Sequence, residues 1–285
     1  DSLATGAIAA GGTLGILIPP SVILIIYGLL TESDIGKLFI AGIVPGLLGV
    51  ALYLIAVMVS VRVDPSLAPE VGEPVPMSRN DLVGVLATIA LFVFIMGGIY
   101  GGVFTPIEAA GMGAAASVVI DAAVATAMIF AIIIGAEIFG NFITFAGLPD
   151  ALSDLVQNLN LGPWVVIGLI VVTYLVLGTV LESLSMVLLT VPVFYPLVMQ
   201  LDFGAGPLAD PDMILIWFAI IVVVATEISL ITPPVGMNVF VLRSVLPEVS
   251  LGTMFRGVLW FWAVDVVRIA LIVAFPAITL WLVMP

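Results

Sequence analysis

Long, continuous apolar stretches constrain this sequence more than any other feature. Several of them exceed about 18 residues, the length at which a helix crosses a hydrocarbon core of about 30 Å. Hydrophobic residues fill 63% of the 285 positions and charged residues only 9%, against about 25% in soluble domains. The stretches do not alternate between apolar and polar residues, which excludes a transmembrane barrel. The sequence therefore predicts an all-α polytopic membrane protein.

The residue types that are missing exclude most enzyme mechanisms. The chain has no Cys and no His, which removes disulfides, thiol nucleophiles, zinc sites with His ligands and Ser-His triads. The Gly-x-Gly-Asp signature of intramembrane aspartyl proteases is absent as well. A net charge of −13 argues against binding to nucleic acid. We therefore expect a protein that is not an enzyme and has no nucleic-acid partner.

The few basic residues indicate how the chain is oriented. Arg62 and Arg79 flank one polar loop, and Arg243 and Arg256 flank another, so both loops are predicted to face the cytoplasm. Two further loops contain no Lys or Arg and are predicted to face outward: 147–163 and 201–213.

An apolar segment at 164–200 connects those two outward loops. Because both of its ends lie on the outer side, we interpret it as a hairpin that dips into the membrane and returns. Its turn is predicted near Gly178–Ser185, where the polar and flexible residues lie.

A Pro-Pro pair interrupts two of the apolar runs. The sequences around the pairs are alike, GILIPPS at 15–21 and SLITPPV at 229–235. Proline has no N–H and disfavours helix at the residue before it, so each helix must unwind at membrane depth and leave carbonyls without partners. Irregular backbone there is tolerated only inside the protein or beside a wet cavity, and paired broken helices are typical of secondary-transporter binding sites. The first run is also predicted to break at Gly11-Gly12.

These segments belong to a series of motifs that covers essentially the whole chain: GTLGILIPPS at 12–21, IGKLF at 35–39, AGIVPG at 41–46, GVFTPIEAA at 102–110, LLTVPVF at 188–194 and ITPPVGMNVF at 231–240. In this order they closely resemble the large membrane (M) subunit of TRAP transporters, which are tripartite, ATP-independent periplasmic uptake systems. The resemblance implies an elevator-type secondary transporter built from inverted repeats, each with one re-entrant hairpin and one broken helix.

The resemblance also implies the function and the partners. It implies sodium-coupled uptake of an organic acid across the bacterial inner membrane, with the sodium ion as coupling ion and no other cofactor. The implied partners are a small membrane (Q) subunit and a periplasmic substrate-binding (P) protein. On this basis we divide the chain as follows: 1–61 as the end of the first repeat, 62–81 as a cytoplasmic loop and 82–285 as the second repeat, with the hairpin at 164–200, a broken helix at 214–242 and a final span at 257–284.

The same resemblance implies the positions of the sites. The candidate sodium-binding residues are Gly178 in the hairpin, Ser229, Thr232 and Val235 at the second break, and Gly15 and Ser21 at the first. Ser229 replaces the usual glycine of the family, which matters little if its backbone carbonyl is the ligand. The substrate is expected between the hairpin tips, with these candidates: Ser183, Ser185, Asn238, Pro19, Pro20, Pro233 and Pro234.

Four acidic residues lie within apolar runs, where ionisable groups are costly and usually face the bundle interior or water: Asp121, Glu137, Glu182 and Glu227. Glu182, near the predicted turn, either touches the site or caps a helix start. Glu227 is predicted to orient the broken backbone rather than to bind sodium directly.

The last apolar span contains the remaining charged pair. Asp265 and Arg268 have the i, i+3 spacing of a pair on one helix and are predicted to interact with each other. Trp260, Trp262 and Trp281 are interpreted as anchors at the membrane interface.

Two features depart from the family pattern. The chain has 18 residues before the first Pro-Pro pair and does not begin with Met, so a first hairpin is expected upstream of Asp1. The stretch 109–146 would be about 57 Å long as one helix, nearly twice the thickness of the hydrocarbon core. The family has a connector between two spans here, so that connector is expected to be missing near Val119–Asp121, unless two short helices meet at a tight turn there.

These departures leave alternative functions open. The chain is alternatively a single-component sodium/anion symporter of related fold, or a truncated, non-transporting remnant. We expect the chain as written not to catalyse sodium-driven uptake in proteoliposomes, and robust uptake would contradict the expected truncation.

Overall fold

Helices make up the regular structure throughout the described part of the chain. The computed structural model describes residues 2–67, 79–103, 134–136 and 138–284. Four segments within these ranges are long and apolar enough to cross a membrane: Ser2–Thr31, Ile35–Val63, Pro211–Ile231 and Leu251–Ala274. This confirms the predicted all-α polytopic membrane protein.

The chain divides into two compact units, Asp1–Leu67 with Ile133–Pro285 and Ala68–Ile132. The first unit contains α1 Ser2–Leu17, α2 Val22–Thr31, α3 Ile35–Val63, α5 Leu148–Asn158, α6 Pro163–Leu177, α7 Ser183–Val198, α8 Pro211–Ile231, α9 Met237–Val245, α10 Leu251–Ala274 and α11 Ala277–Leu280. The second unit contains α4 Arg79–Tyr100.

Some predictions fall on residues outside the described ranges. They are the missing connector near Val119–Asp121, the roles of Asp121 and Glu137, and most of the predicted cytoplasmic loop at 62–81.

The first Pro-Pro pair separates α1 from α2. Ser21 caps α2, because its hydroxyl accepts a hydrogen bond from the N–H of Leu24 at 3.2 Å and donates one to the carbonyl of Ile16. The helical partner of the Gly15 carbonyl would be the N–H of residue 19, which is a proline. Within the described ranges no other group donates to that carbonyl.

The second Pro-Pro pair separates α8 from α9. The N–H of Thr232 turns back to the carbonyl of Ser229 at 3.1 Å, and its hydroxyl donates to the carbonyl of Ile228 at 2.7 Å. The carbonyl of Leu230 would need an N–H from Pro234, and no described group replaces it. Both Pro-Pro bonds are cis. The helices are therefore broken at the two positions that the sequence predicts.

The apolar segment near 164–200 folds into two helices, α6 and α7, joined by residues 178–182. The chain turns back on itself, because the hydroxyls of Tyr174 and Thr190 are hydrogen-bonded and the Tyr174 ring contacts Phe194. The hairpin packs against both broken segments, with α7 on α2 and α6 on α8. The hairpin therefore packs against a helix next to each break.

Helix α8 is the centre of the first unit. Every residue from Met213 to Ile231 is buried, and the helix packs against α1, α3, α6, α7 and α10. Helices α1 and α10 cross closely at Gly6 and Gly257, where a Cβ on Gly6 would overlap the backbone of Gly257. Small residues at such crossings are typical of helix packing in membranes.

Several elements differ from the sequence-based expectations. Helix α1 continues through Gly11-Gly12, since each glycine costs a helix only about 1 kcal/mol relative to alanine. Residues 148–158, predicted as loop, form the amphipathic helix α5 after a left-handed Gly147. The last span begins at Leu251 and ends at Ala274, because Pro276 interrupts it, instead of covering 257–284.

Candidate functional site

The hairpin and the second break meet at Gly178 and Ser229. Gly178 is the C-cap of α6, and a Cβ built on it would overlap the side chain of Ser229. Two of the predicted sodium-binding residues, 51 positions apart in the sequence, are thus in direct contact. Glycine is needed at 178 for this approach rather than for its backbone conformation, since its φ of −71° is accessible to any residue.

Ser229 is fully buried at this contact. Its hydroxyl donates to the carbonyl of Thr226 at 2.6 Å, while its own carbonyl accepts the N–H of Thr232. A carbonyl oxygen has two lone pairs, so the Ser229 carbonyl retains one for a cation. The Ser229 side chain fills the space beside Gly178, a contact that the sequence alone does not reveal.

Thr232 is held from a third helix. The indole N–H of Trp262 in α10 donates to the Thr232 hydroxyl at 3.0 Å. The sequence predicts Trp262 as an interfacial anchor, whereas the structure adds a contact that the sequence does not predict, because the indole binds the Thr232 side chain at the second break. Trp281, in contrast, is 69% exposed beyond the end of α10.

The exposed part of the second break lies just after Thr232. Pro233, Pro234 and Val235 are exposed, whereas Gly236, at φ 53°, is buried and starts α9. Asn238 is half-buried, and its side-chain amide lies 3.4 Å from the carbonyl of Ala9 in α1. The amide therefore contacts the regular helical backbone of α1, a contact that the sequence does not predict, and its predicted role in substrate binding stays a prediction.

The candidate residues at the first break differ in their exposure. Ser21 and Pro19 are buried, whereas Gly15 and Pro20 are exposed. The Ser21 hydroxyl is used by the Ile16 carbonyl and the Leu24 N–H, so its side chain mainly supports the break. The exposed Gly15, whose carbonyl has lost its helical partner, is the more available ligand of the two.

Glu182 organises the start of α7 at the hairpin turn. Its carboxylate accepts the N–H groups of Leu184 at 2.9 Å and Ser185 at 3.2 Å, so it caps the helix. The hydroxyls of Ser183 and Ser185 also point to this carboxylate, at 2.9 and 3.4 Å. Of the two roles left open for Glu182, the structure has the capping role, and it occupies the serine hydroxyls that were expected to bind substrate.

A buried ionic network lies just before the second break. Arg268 in α10 forms ion pairs with Glu227 in α8 and, at 3.1 Å, with Asp265 in its own helix. The Tyr53 hydroxyl in α3 donates to Asp265 at 2.6 Å. The three charged side chains are completely buried.

This network confirms one pairing and adds another. The predicted pairing of Asp265 with Arg268 is confirmed. The ion pair of Arg268 with Glu227 was not predicted. The sequence does contain a signal for it, because Glu227 and Arg268 lie inside two different apolar runs, and opposite charges within a membrane usually pair with one another.

Comparison with known proteins identifies the family. A family model described as "Tripartite ATP-independent periplasmic transporter, DctM component" matches residues 1–125 and 115–278, nearly the whole chain. The chain belongs to this family. The two matched stretches overlap at 115–125, the region where the sequence predicts a missing connector.

Proteins of the DctM family with different named substrates resemble the chain. The C4-dicarboxylate TRAP transporter large permease protein DctM of Pseudomonas aeruginosa is 34% identical over 98% of this chain and 67% of its own length. The isethionate TRAP transporter permease protein DctMQ of Oleidesulfovibrio alaskensis is 32% identical over 84% of this chain and 39% of its own length. The sialic acid TRAP transporter large permease protein SiaM of Vibrio cholerae is 30% identical over 99% of this chain and 67% of its own length.

Membership of the DctM family fixes the broad function and the location. The chain is a TRAP transporter large permease, a multi-pass protein of the bacterial inner membrane, and its relatives are transporter permeases rather than enzymes. No group of three or more Asp or Glu side chains that would hold a divalent metal occurs in 2–67, 79–103, 134–136 and 138–284.

Proposed function

We propose that this permease couples the uptake of an organic acid to sodium, and that the ion binds where the hairpin meets the second break. The contact between Gly178 and Ser229 carries this proposal. It brings the end of α6 to the C-terminal end of α8, where the carbonyls of Ser229 and Leu230 have lost the N–H donors of a regular helix. Oxygen ligands of this kind, at the C-terminal end of a half-helix, suit a hard monovalent cation.

The neighbouring groups support a cation at this terminus. The Leu230 carbonyl lacks a donor within the described chain, and the Ser229 carbonyl has one free lone pair. The Thr232 hydroxyl adds a further oxygen, and the exposed Pro233–Val235 backbone gives access. The first break, with Gly15 and Ser21, is proposed as a second position of the same type.

The substrate is proposed to be a small organic anion, in the first instance a carboxylate. The named substrates of the relatives are C4-dicarboxylate, sialic acid and isethionate, all of which carry an acidic group. The start of α7 already binds a carboxylate, that of Glu182, through two N–H groups and two serine hydroxyls. Asn238 and the exposed Pro20, Pro233 and Pro234 remain candidate contacts of the substrate.

We also propose the remaining parts of the TRAP system for this chain. A periplasmic binding protein would deliver the substrate, and a small membrane subunit would associate with the permease. An elevator movement of two inverted repeats would carry the site across the bilayer. The two Pro-Pro breaks have similar flanking sequences, and each leaves one carbonyl without a donor, that of Gly15 at the first and that of Leu230 at the second. These breaks are the observation that supports the repeat.

Sodium binding can be tested on the purified chain in detergent micelles. We expect NaCl to raise the unfolding temperature relative to choline chloride of equal ionic strength, because a ligand that binds only the folded state stabilises it, by about 2.7 kcal/mol at 100 times its Kd. Thr232→Val removes one oxygen from the site. It is expected to weaken the sodium effect, so that half-maximal stabilisation needs several-fold more sodium.

Thr173→Val is the matched control. The Thr173 hydroxyl makes the same bond to the carbonyl four residues earlier, at 2.8 Å, on an exposed face of α6. This variant should keep the sodium response of the unsubstituted chain. Equal stabilisation by sodium and choline in the unsubstituted chain would reject the sodium site.

A further inference from the structure

Helix α10 contacts the last part of α8 at two points that lie on either side of Ser229. Arg268 binds Glu227, two residues before Ser229, and Trp262 binds Thr232, three residues after it. Both donors belong to one continuous helix. The end of α8 is therefore attached to α10 both before and after the residue that contacts the hairpin.

The attachment at Glu227 is rigid. Arg268 is enclosed by α3 as well, because a Cβ on Gly49 would overlap its guanidinium group. Asp265, one turn earlier in α10, fixes the guanidinium from its own helix, and Tyr53 of α3 fixes Asp265. The partner of the Glu227 carboxylate is thus fixed by groups from two helices, α3 and α10.

The attachment at Thr232 acts on the break itself. Thr232 is the C-cap of α8, and its hydroxyl both donates to Ile228 and accepts from Trp262. The indole N–H therefore determines the direction of the hydroxyl lone pair that remains for a ligand. Without that donor only the bond to the Ile228 carbonyl would orient the hydroxyl.

We propose that Trp262 and Arg268 are positioning residues for the ion site: α10 holds the end of α8 on both sides of Ser229 and thereby sets the oxygen geometry at the second break. This inference rests on the proposed sodium site and adds two residues from a helix that contributes no ligand to it. Neither residue touches the ion, and both act through the α8 residues to which they donate hydrogen bonds.

The test uses Trp262→Phe, which keeps an aromatic ring and removes only the N–H donor. Trp260→Phe is the matched control, since Trp260 lies one half-turn away in α10 and packs against apolar core residues. Arg268→Lys is the second variant, because it retains the charge but loses the planar fork that binds two carboxylates. All three are measured on the purified full chain in detergent micelles.

Two readouts separate positioning from general stability. The first is hydrogen–deuterium exchange of the peptide 229–240, which reports local opening at the break. We expect Trp262→Phe and Arg268→Lys to raise its exchange rate at least about threefold and Trp260→Phe to leave it unchanged. The second is the sodium concentration for half-maximal stabilisation, expected to rise roughly three- to tenfold in Trp262→Phe, the size of one net hydrogen bond.

The outcomes distinguish this inference from the sodium site. If sodium stabilises the unsubstituted chain and Trp262→Phe has the same half-saturation and the same exchange at 229–240, the positioning role is overturned and the sodium site stands. If sodium has no specific effect on the unsubstituted chain, the sodium site fails, and the exchange rates alone decide whether α10 holds the break. Equal effects of the Trp262 and Trp260 variants would also overturn the proposal.

Discussion

Arg268→Met is expected to lower the free energy of unfolding by about 3–5 kcal/mol, because it leaves two buried carboxylates without a counter-charge. Glu227 and Asp265 are completely buried, and both form ion pairs with Arg268. Inside a membrane protein neither carboxylate can reach water to regain its hydration. The measurement is the unfolding transition of the purified chain in micelles, followed by circular dichroism.

Two controls identify the cause of this loss. Arg256→Met removes a charge from an exposed position of the same helix and should leave the transition nearly unchanged. The triple variant Glu227→Gln, Asp265→Asn, Arg268→Met removes all three charges with little change in volume, and it should recover much of the stability. A single Arg268→Met variant as stable as the unsubstituted chain would show that the guanidinium is not the partner of these carboxylates.

The sequence predicts the breaks well because their cause is local. A proline lacks the N–H that its helix requires, wherever the helix later packs. The positions of both breaks, and the parallel between Gly15 and Ser229 four residues before each proline, follow from this chemistry alone. The hairpin is predicted from charge, since both loops around it lack basic residues, and its turn from the polar and flexible residues at 178–185, close to the observed connection at 178–182.

The contacts between distant segments are the part that the sequence cannot supply. Glu227 and Arg268 are 41 residues apart, and Trp262 and Thr232 are 30 apart. A tryptophan in an apolar span has the same local signal whether it lies at the interface or donates to a broken helix. Only the packing of α10 against α8 separates these two possibilities.

Other differences arise where weak local preferences compete with packing. Gly11-Gly12 lies in α1, which has eight buried residues and packs against α10 and α8, and this packing outweighs the modest helix penalty of two glycines. The serines at the hairpin turn have donors that suit any carboxylate, and a neighbouring glutamate occupies them before a ligand does.

Gly178→Ala is expected to disturb the contact between the hairpin and the second break, at a cost of about 1–3 kcal/mol for overpacking. The added methyl group would overlap the side chain of Ser229, which is fully buried and cannot move aside. The backbone at 178 tolerates alanine, so the cost comes from this contact. Gly168→Ala, on an open face of the same helix, should be neutral or slightly stabilising.

A second substitution tests whether this contact is the cause. Ser229→Gly removes the atoms that the new methyl group would overlap and leaves the sulfur of the flexible Met186 side chain, at 3.1 Å, as the nearest remaining atom. The double variant should therefore be more stable than the sum of the two single effects, with a coupling of about 1 kcal/mol or more. Additive effects on the unfolding temperature would mean that α6 does not approach α8 at these residues. Because the same contact supports the proposed sodium site, Gly178→Ala is also expected to lose the sodium response, and the double variant is expected to regain it. Such a recovery would tie the ion to this junction rather than to the hairpin or the break alone.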